Sequence, residues 1–111
     1  MGRYISTTPT AGSALRVDIT SNYNAIANDR ILADSSGGSF TITLPLAADV
    51  QAGDVVQIID VGGAASTSAI TVDRNGSNIQ SAADNLSIDV SNTVVTLTYA
   101  NASYGWIVTG V

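Results

Sequence analysis

The sequence predicts an all-β protein: an antiparallel β-sandwich or jelly-roll-like domain of about eight short strands with an extended N-terminal arm. The first observation behind this is the charge usage, because all acids are Asp and all bases are Arg, and the helix-favouring Glu and Lys are absent. The second is the abundance of Val, Ile and Thr alongside polar turn residues. The third is period-two apolar alternation in short runs, separated by turn signals every 8 to 12 residues or so.

The predicted arm covers residues 1–27, and the predicted sandwich domain covers residues 28–111. The segment TTPTAGSA is small and polar, with Pro9 and Gly12 as structure breakers. LRVDI, residues 15–19, alternates between apolar and charged residues and predicts one strand. The arm is expected to add little to the core, and a frayed terminus is the alternative interpretation.

The first part of the domain predicts a hairpin and then a central strand. DRILADSSGGSFTITLPL, residues 29–46, has two alternating runs around an SSGG loop, and Pro45 ends the second run. VVQIIDV, residues 55–61, is nearly continuous in apolar residues and predicts a strand that is covered on both faces.

The segment AITVDRNGSNIQ, residues 69–80, carries the strongest hairpin signal of the chain. Asn75-Gly76 suits a type I′ turn, in which both central residues need positive φ. Ser77 to Gln80 is then predicted to return beside the first strand. At the tip, Arg74 is predicted either to be solvated or paired with Asp73, or to contact a neighbouring subunit.

Residues 86–111 predict a three-stranded meander with polar turns between the strands. Trp106 follows a Tyr-Gly turn, which predicts a place at the end of the core, with its N–H bonded to a loop, or in a subunit interface. An aromatic platform that stacks on a sugar is the alternative.

Few side chains are available for chemistry. The chain has no Cys and no His, which excludes thiolate catalysis, His-activated serines and the usual zinc ligand sets. Asp60, Asp73 and Asp89 fall in predicted strands, where a pair of carboxylates could hydrolyse a glycosidic bond. The favoured interpretation is structural, because Asp60 and Asp73 lie near strand ends, where they are predicted to face solvent. The prediction is therefore a protein that is not an enzyme and needs no metal or other cofactor, with an incidental calcium ion as the alternative.

Charge and hydropathy limit the partners. A net charge of −5 disfavours nucleic acid and anionic membranes, both of which attract basic surfaces. No apolar run approaches the roughly 20 residues that cross a bilayer, and the N-terminus shows no signal-peptide pattern.

Several blocks in a fixed order carry a resemblance to a known class of proteins. They are FTITLP, AGDVVQIIDVGG, ITVDRNGSNIQ, DNLSIDV, VVTLTY and GWIV, spanning roughly residues 29–110. This arrangement resembles a β-module of tailed-phage virion proteins, especially in tail fibres and small structural proteins of marine and cyanobacterial phages. The resemblance implies a non-enzymatic structural protein of the virion, commonly trimeric, and it carries over no catalytic residue.

Fibre proteins of that kind are usually much longer, so the expectation is a trimeric capsid decoration protein on the virion surface, bound to the major capsid protein. The alternatives are a tail fibre, fibre adaptor or neck protein and, outside the virion, a carbohydrate-binding module. The expected capsid contacts are Arg3, Tyr4, Leu15, Arg16, Val17 and Tyr23. The expected subunit-interface residues are Arg74 and Trp106.

Overall fold

The structure is a computed structural model that describes residues 15–110. Within this range the chain is all-β, with nine strands and one short 3-10 turn (Ala47–Asp49). The strands are β1 (Leu15–Ile19), β2 (Tyr23–Asn24), β3 (Asp29–Ala33), β4 (Phe40–Thr43), β5 (Val55–Asp60), β6 (Ile70–Asp73), β7 (Leu86–Ile88), β8 (Val94–Asn101) and β9 (Gly105–Gly110). Sheet A has the order β1-β3-β5-β8-β9, and sheet B has the order β2-β4-β6-β7.

The first six strands, residues 15–73, form a coil in which successive strands alternate between the two sheets. As a result, β1, β3 and β5 run parallel in sheet A, and β2, β4 and β6 run parallel in sheet B. The predicted hairpin over residues 29–46 is therefore wrong, and both sheets are mixed rather than antiparallel. The bend after β3 sends the chain across to sheet B, and the buried Ser35 hydroxyl holds it by donating to the Ser68 carbonyl at 2.7 Å.

The last three strands, residues 86–110, form a cap with antiparallel pairing. β7 pairs with β6, β8 pairs with β5, and β9 pairs with β8. The predicted hairpin between β8 and β9 is confirmed. The predicted three-stranded meander is wrong, because β7 lies in sheet B whereas β8 and β9 lie in sheet A.

The inward faces of both sheets supply one hydrophobic core. Period-two patterning correctly placed three sets of buried residues: Ile31 and Ala33; Phe40, Ile42 and Leu44; and Val95, Leu97 and Tyr99. Burying an aliphatic side chain of this size stabilises the fold by about 1.5–3 kcal/mol. The strand β5 occupies the centre of sheet A, yet only alternate residues of it are buried, so the prediction of two covered faces was wrong.

Residues 15–27, part of the predicted arm, form the first turn of the coil. The strand β1 pairs along its whole length with β3, and Ala25 lies in the core with 5% of its surface exposed. The remainder of the predicted arm, residues 1–14, lies outside the described residues.

The Asn75-Gly76 turn is confirmed, but its predicted return strand is not. Asn75 and Gly76 have φ values of 48° and 85°, and the Ser77 N–H donates to the Arg74 carbonyl at 3.0 Å. Instead of pairing with β6, the chain continues to the outer edge of β9, where the backbone N–H of Trp106 donates to the Asn78 carbonyl at 2.8 Å. Gly105, with φ of 70°, permits this approach, because a Cβ there would overlap the Asn78 carbonyl.

Candidate interaction surface

The outward face of sheet A carries an apolar row. Leu32, Ile59 and Val94 are direct neighbours on β3, β5 and β8. Leu32 and Ile59 are half-buried, and Val94 exposes 37% of its surface. The outward face of sheet B differs, because its corresponding row consists of Thr41, Thr71 and Ser87. An apolar row on one outward face and a hydroxyl row on the other indicate that the two faces meet different surroundings.

Charged side chains of both signs border the apolar row: Asp18 is the direct neighbour of Leu32 on β1, and Arg16 and Arg30 lie in the next outward-facing row. Arg16 and Arg30 are opposite one another in register on β1 and β3, and both are exposed. The Arg16 guanidinium lies 3.4 Å from the Asp18 carboxylate, in an exposed ion pair that contributes little to stability. Arg30 forms no ion pair within the described residues. Two like charges on adjacent strands repel one another, and Asp18 offsets part of this repulsion at Arg16.

Only some of the predicted capsid contacts lie among the described residues. Arg3 and Tyr4 lie outside the described residues, Leu15 begins β1, and Val17 is half-buried. Tyr23 serves the chain's own structure, because its ring packs against the core and its hydroxyl donates to Asp29 Oδ2 at 2.8 Å. Burial, followed by the hydrogen bond to Asp29 and the charge of that residue, raises the pKa of Tyr23 to about 12.

The two predicted subunit-interface residues have different positions. Arg74 is half-buried, and its guanidinium donates to the Ser77 carbonyl at 3.1 Å across its own turn. Trp106 is fully buried and meets Tyr99 edge-on, with ring centroids 5.3 Å apart. An indole with no exposed surface reaches neither a neighbouring subunit nor a sugar, so of the predicted alternatives the structure shows the core position, and the interface assignment of Trp106 is wrong. The predicted hydrogen bond from the indole N–H of Trp106 to a loop is not formed among the described residues.

Two buried carboxylates were missed at the sequence level. Asp29 and Asp60 expose 1% and 3% of their surfaces, and the prediction that Asp60 faces solvent was wrong. Asp29 Oδ2 accepts the Tyr23 hydroxyl and, at 2.9 Å, the Ile26 N–H. Each aspartate lies two residues from a buried isoleucine of its strand: Asp29 precedes Ile31, and Asp60 follows Ile58. Because alternate residues of a strand face the same side, this spacing was the signal available in the sequence.

Asp60 ties two loops to the end of β5. Its Oδ2 accepts the Ala65 N–H at 3.2 Å and the Asn92 N–H at 3.0 Å. Asp29 lies at the opposite end of β3, the parallel neighbour of β5. The register pairs Asp60 with Ala33, four residues after Asp29, so the two aspartates are about 13 Å apart along the strands. Because that exceeds the roughly 5–9.5 Å between glycosidase carboxylates, these two residues do not form such a pair.

Among residues 15–110 there is no group of three or more potential metal ligands. In the same range no helix has the length and apolar character of a membrane span. Comparison with models of protein families and with curated protein sequences found no match to this chain.

Proposed function

We propose that this chain is a non-enzymatic structural protein of a tailed-phage virion, most specifically a trimeric capsid decoration protein that binds the major capsid protein. The observation that carries the proposal is the apolar row Leu32, Ile59 and Val94, lying beside Arg16 and Arg30 on the outward face of sheet A. Adjacent apolar residues on an outward sheet face are typical of interaction sites, and Arg is enriched at protein interfaces. The order of sequence blocks that resembles phage virion modules supports the virion as the location.

The proposed mechanism is passive reinforcement of the capsid. The apolar row is buried against the capsid protein, and Arg16 and Arg30 pair with its acidic groups, so that surface buried across capsomer junctions opposes internal pressure. Arg3 and Tyr4 of the N-terminal segment extend this contact. The proposal includes a sandwich packing of sheets A and B, which the single core drawn from both sheets supports.

The available side chains support a role without catalysis. Without Cys, His, Lys or Glu, only Asp offers a general base of ordinary acidity. The two most buried aspartates, Asp29 and Asp60, are each engaged by backbone N–H donors that fix loops to strands. Both carboxylates therefore have a structural use.

Replacing Ile59 with Asp tests the proposal, because it places a charge in the apolar row without touching the core. We expect Ile59→Asp to weaken binding to purified capsids at least about tenfold, measured by co-sedimentation. Thr71→Asp is the matched control, since Thr71 is also half-buried and faces outward, but from sheet B. Equal binding by Ile59→Asp and the wild type, with unchanged circular dichroism, would remove sheet A as the docking face.

A tail fibre, fibre adaptor or neck protein is the second candidate, and the coil favours it. Parallel coils grow by adding turns, as in β-helical proteins. Within the described residues β1 and β2 have no strand on their outer edges, where a further turn would pair. Electron microscopy of gold-labelled protein on phage particles separates the two addresses, because a decoration protein covers the head whereas a fibre or neck protein labels one vertex.

A further inference from the structure

The outer edge of β1 is unpaired within the described part of the chain. In sheet A, β1 pairs with β3 on one side and is the last strand of the sheet on the other. The Ile19 carbonyl accepts the Asp34 N–H from the end of β3, so Ile19 directs its backbone groups towards β3. Because successive residues of a strand direct these groups to opposite sides, Arg16 and Asp18 direct theirs to the free edge. Such an edge can pair with a strand of another chain.

Charges of opposite sign alternate along this edge. Arg16 and Asp18 flank Val17 on the outward face, with 71% and 66% of their side-chain surfaces exposed. Charged residues on an edge strand usually discourage pairing, but this pattern does so for one strand direction only. A parallel copy of β1 in the same register places like charges opposite one another, which is destabilising. An antiparallel copy centred on Val17 places each Arg16 opposite an Asp18, so β1 is complementary to itself.

We propose that β1 pairs antiparallel with β1 of a second copy, about a two-fold axis that passes between the two Val17 residues. In this register Arg16 and Asp18 form the hydrogen-bonded pairs, in which two residues exchange both backbone N–H···O=C bonds. Val17 lies opposite Val17 in the closer, non-hydrogen-bonded pair, and Leu15 lies opposite Ile19. All five residues of β1 are paired, and the two five-stranded sheets become one continuous sheet.

The charges favour a second copy over the chain's own N-terminal residues as the occupant of this edge. Residues 1–14 contain one charged side chain, Arg3, and no acidic residue. They therefore offer no carboxylate to Arg16, whereas β1 of a second copy brings Asp18. Val17 and Ile19 are only half-buried at the edge, and a second β1 covers more of both.

The inference goes beyond the proposed function and is compatible with it. A two-fold axis perpendicular to the joined sheet keeps the apolar rows of both copies on the same side, so both can face one capsid surface. A trimer that docks three sheet A faces on one surface has its axis perpendicular to that surface as well, so the β1 contact joins neighbouring trimers. The Arg16 guanidinium has several N–H donors, and a bond to Asp18 of the second copy leaves others for the capsid.

Single-cysteine variants test the contact, because the chain has no Cys of its own. In a non-hydrogen-bonded antiparallel pair the Cα atoms are about 4.5 Å apart, which a disulfide can span. Under mild oxidation we expect Val17→Cys to give about tenfold more disulfide-linked dimer than Ile19→Cys. Ile19 is the matched control, since it is half-buried on the same face of β1 but would lie about 13 Å along the strand from Ile19 of the second copy.

Equal yields from Val17→Cys and Ile19→Cys would overturn the proposed register. The absence of a Val17→Cys dimer would overturn the contact itself, and it is the outcome expected if residues 1–14 or a further turn of the coil cover the edge of β1.

Charge reversal in the Val17→Cys background identifies what β1 pairs with. Arg16→Asp gives an edge with two acids and Asp18→Arg an edge with two bases, so each variant alone opposes like charges. We expect each alone to form about one-tenth of the parent dimer, and an equal mixture to restore it as the mixed dimer, quantified by mass. Loss of the ion pair within one chain cannot explain this rescue, because both chains of the mixed dimer lack that pair.

Undiminished dimer from either charge variant alone, or no mixed dimer in the mixture, would overturn the antiparallel pairing. These experiments use purified protein without capsids, so their failure is distinct from failure of the virion assignment, which particle imaging tests.

Discussion

The coil and the cap are built from strands with the same alternating apolar pattern, but strands pair in parallel within the coil and antiparallel in the cap. In the coil, strands that are neighbours in a sheet are separated along the chain by a strand of the other sheet, and paired residues such as Phe40 and Ile70 are far apart in sequence. In the cap, β8 and β9 pair through a short turn, with Tyr99 opposite Trp106. The difference shows that alternation and turn residues define strands, whereas the direction in which a turn leaves its sheet defines topology.

The two regions depend on one another for a closed core. The cap supplies Val95, Leu97, Tyr99 and Trp106 to the cluster that the coil begins. Asp60, at the end of β5 in the coil, accepts a hydrogen bond from the Asn92 N–H in the turn between β7 and β8. Substitutions at this junction and in either region therefore test whether the cap closes the coil.

The largest expected effect is at Trp106, which closes the core from the cap side. Trp106→Ala removes a fully buried indole and should lower the free energy of unfolding by about 3–5 kcal/mol. Urea denaturation measures the loss. Tyr104→Ala, at a neighbouring side chain that is 57% exposed, should change it by less than about 0.5 kcal/mol. A loss below about 1 kcal/mol for Trp106→Ala would show that the coil is stable without the cap.

The junction residue Asp60 comes next. Asp60→Ala leaves the Ala65 and Asn92 N–H groups without their side-chain acceptor and should cost about 3 kcal/mol. Asp60→Asn retains a side-chain carbonyl and should cost less. Hydrogen exchange should show faster exchange at Ala65 and Asn92 in the alanine variant. Unchanged protection at both amides would mean that Asp60 does not connect the coil to the cap.

Much of the strand content could be predicted from the sequence, because period two is a local property. FTIT and VVTLTY became β4 and β8 with the predicted inward residues, and Asn75-Gly76 formed its turn. The pairing of the coil could not be predicted in the same way. The SSGG loop is a turn signal whether the chain returns to its own sheet or crosses to the other. The hydrogen bond that accompanies the observed crossing, from Ser35 to Ser68, joins residues 33 apart in sequence.

The apolar row on the outward face of sheet A was missed for a related reason. Leu32, Ile59 and Val94 each look like an ordinary residue of an alternating strand, and they become a row only through the register of three strands. Tyr23 was assigned to a capsid contact because it lies in the predicted arm, although Asp29 binds its hydroxyl. Trp106 was assigned either to the end of the core or to an interface, and the core encloses it. The residue type predicted that each side chain makes contacts, but only the topology shows that those contacts lie within the same chain.

A smaller effect is expected at the turn that links the coil to the cap. Gly76 has φ of 85°, and Gly76→Val forces a β-branched residue into the left-handed region at a cost of about 1–2 kcal/mol. The melting temperature measures the loss. Gly37→Val is the control, because a Cβ at Gly37 also meets open space but its φ is not positive. Equal melting temperatures for the two variants would contradict the assigned turn geometry.

The smallest effect concerns Tyr23 in the first turn of the coil. The folded state raises its pKa from 10.0 to about 12, so the neutral phenol is favoured and its contribution to stability is complete below pH 10. That contribution falls as pH rises from 10 to 12, because the unfolded chain ionises first. Tyr23→Phe should be about 1 kcal/mol less stable than the wild type at pH 7, since Asp29 loses one donor.

The difference between Tyr23→Phe and the wild type should shrink above pH 10, as followed by urea denaturation across that range. Tyr104→Phe is the control, because the exposed Tyr104 makes no described hydrogen bond through its hydroxyl. A difference that stays constant to pH 12 would mean that Asp29 does not hold the phenol in its neutral form. The Asp29 carboxylate would then be satisfied by the Ile26 N–H alone. In that case β2 would be held to the rest of the coil by packing and strand pairing rather than by the hydrogen bond from Tyr23 to Asp29.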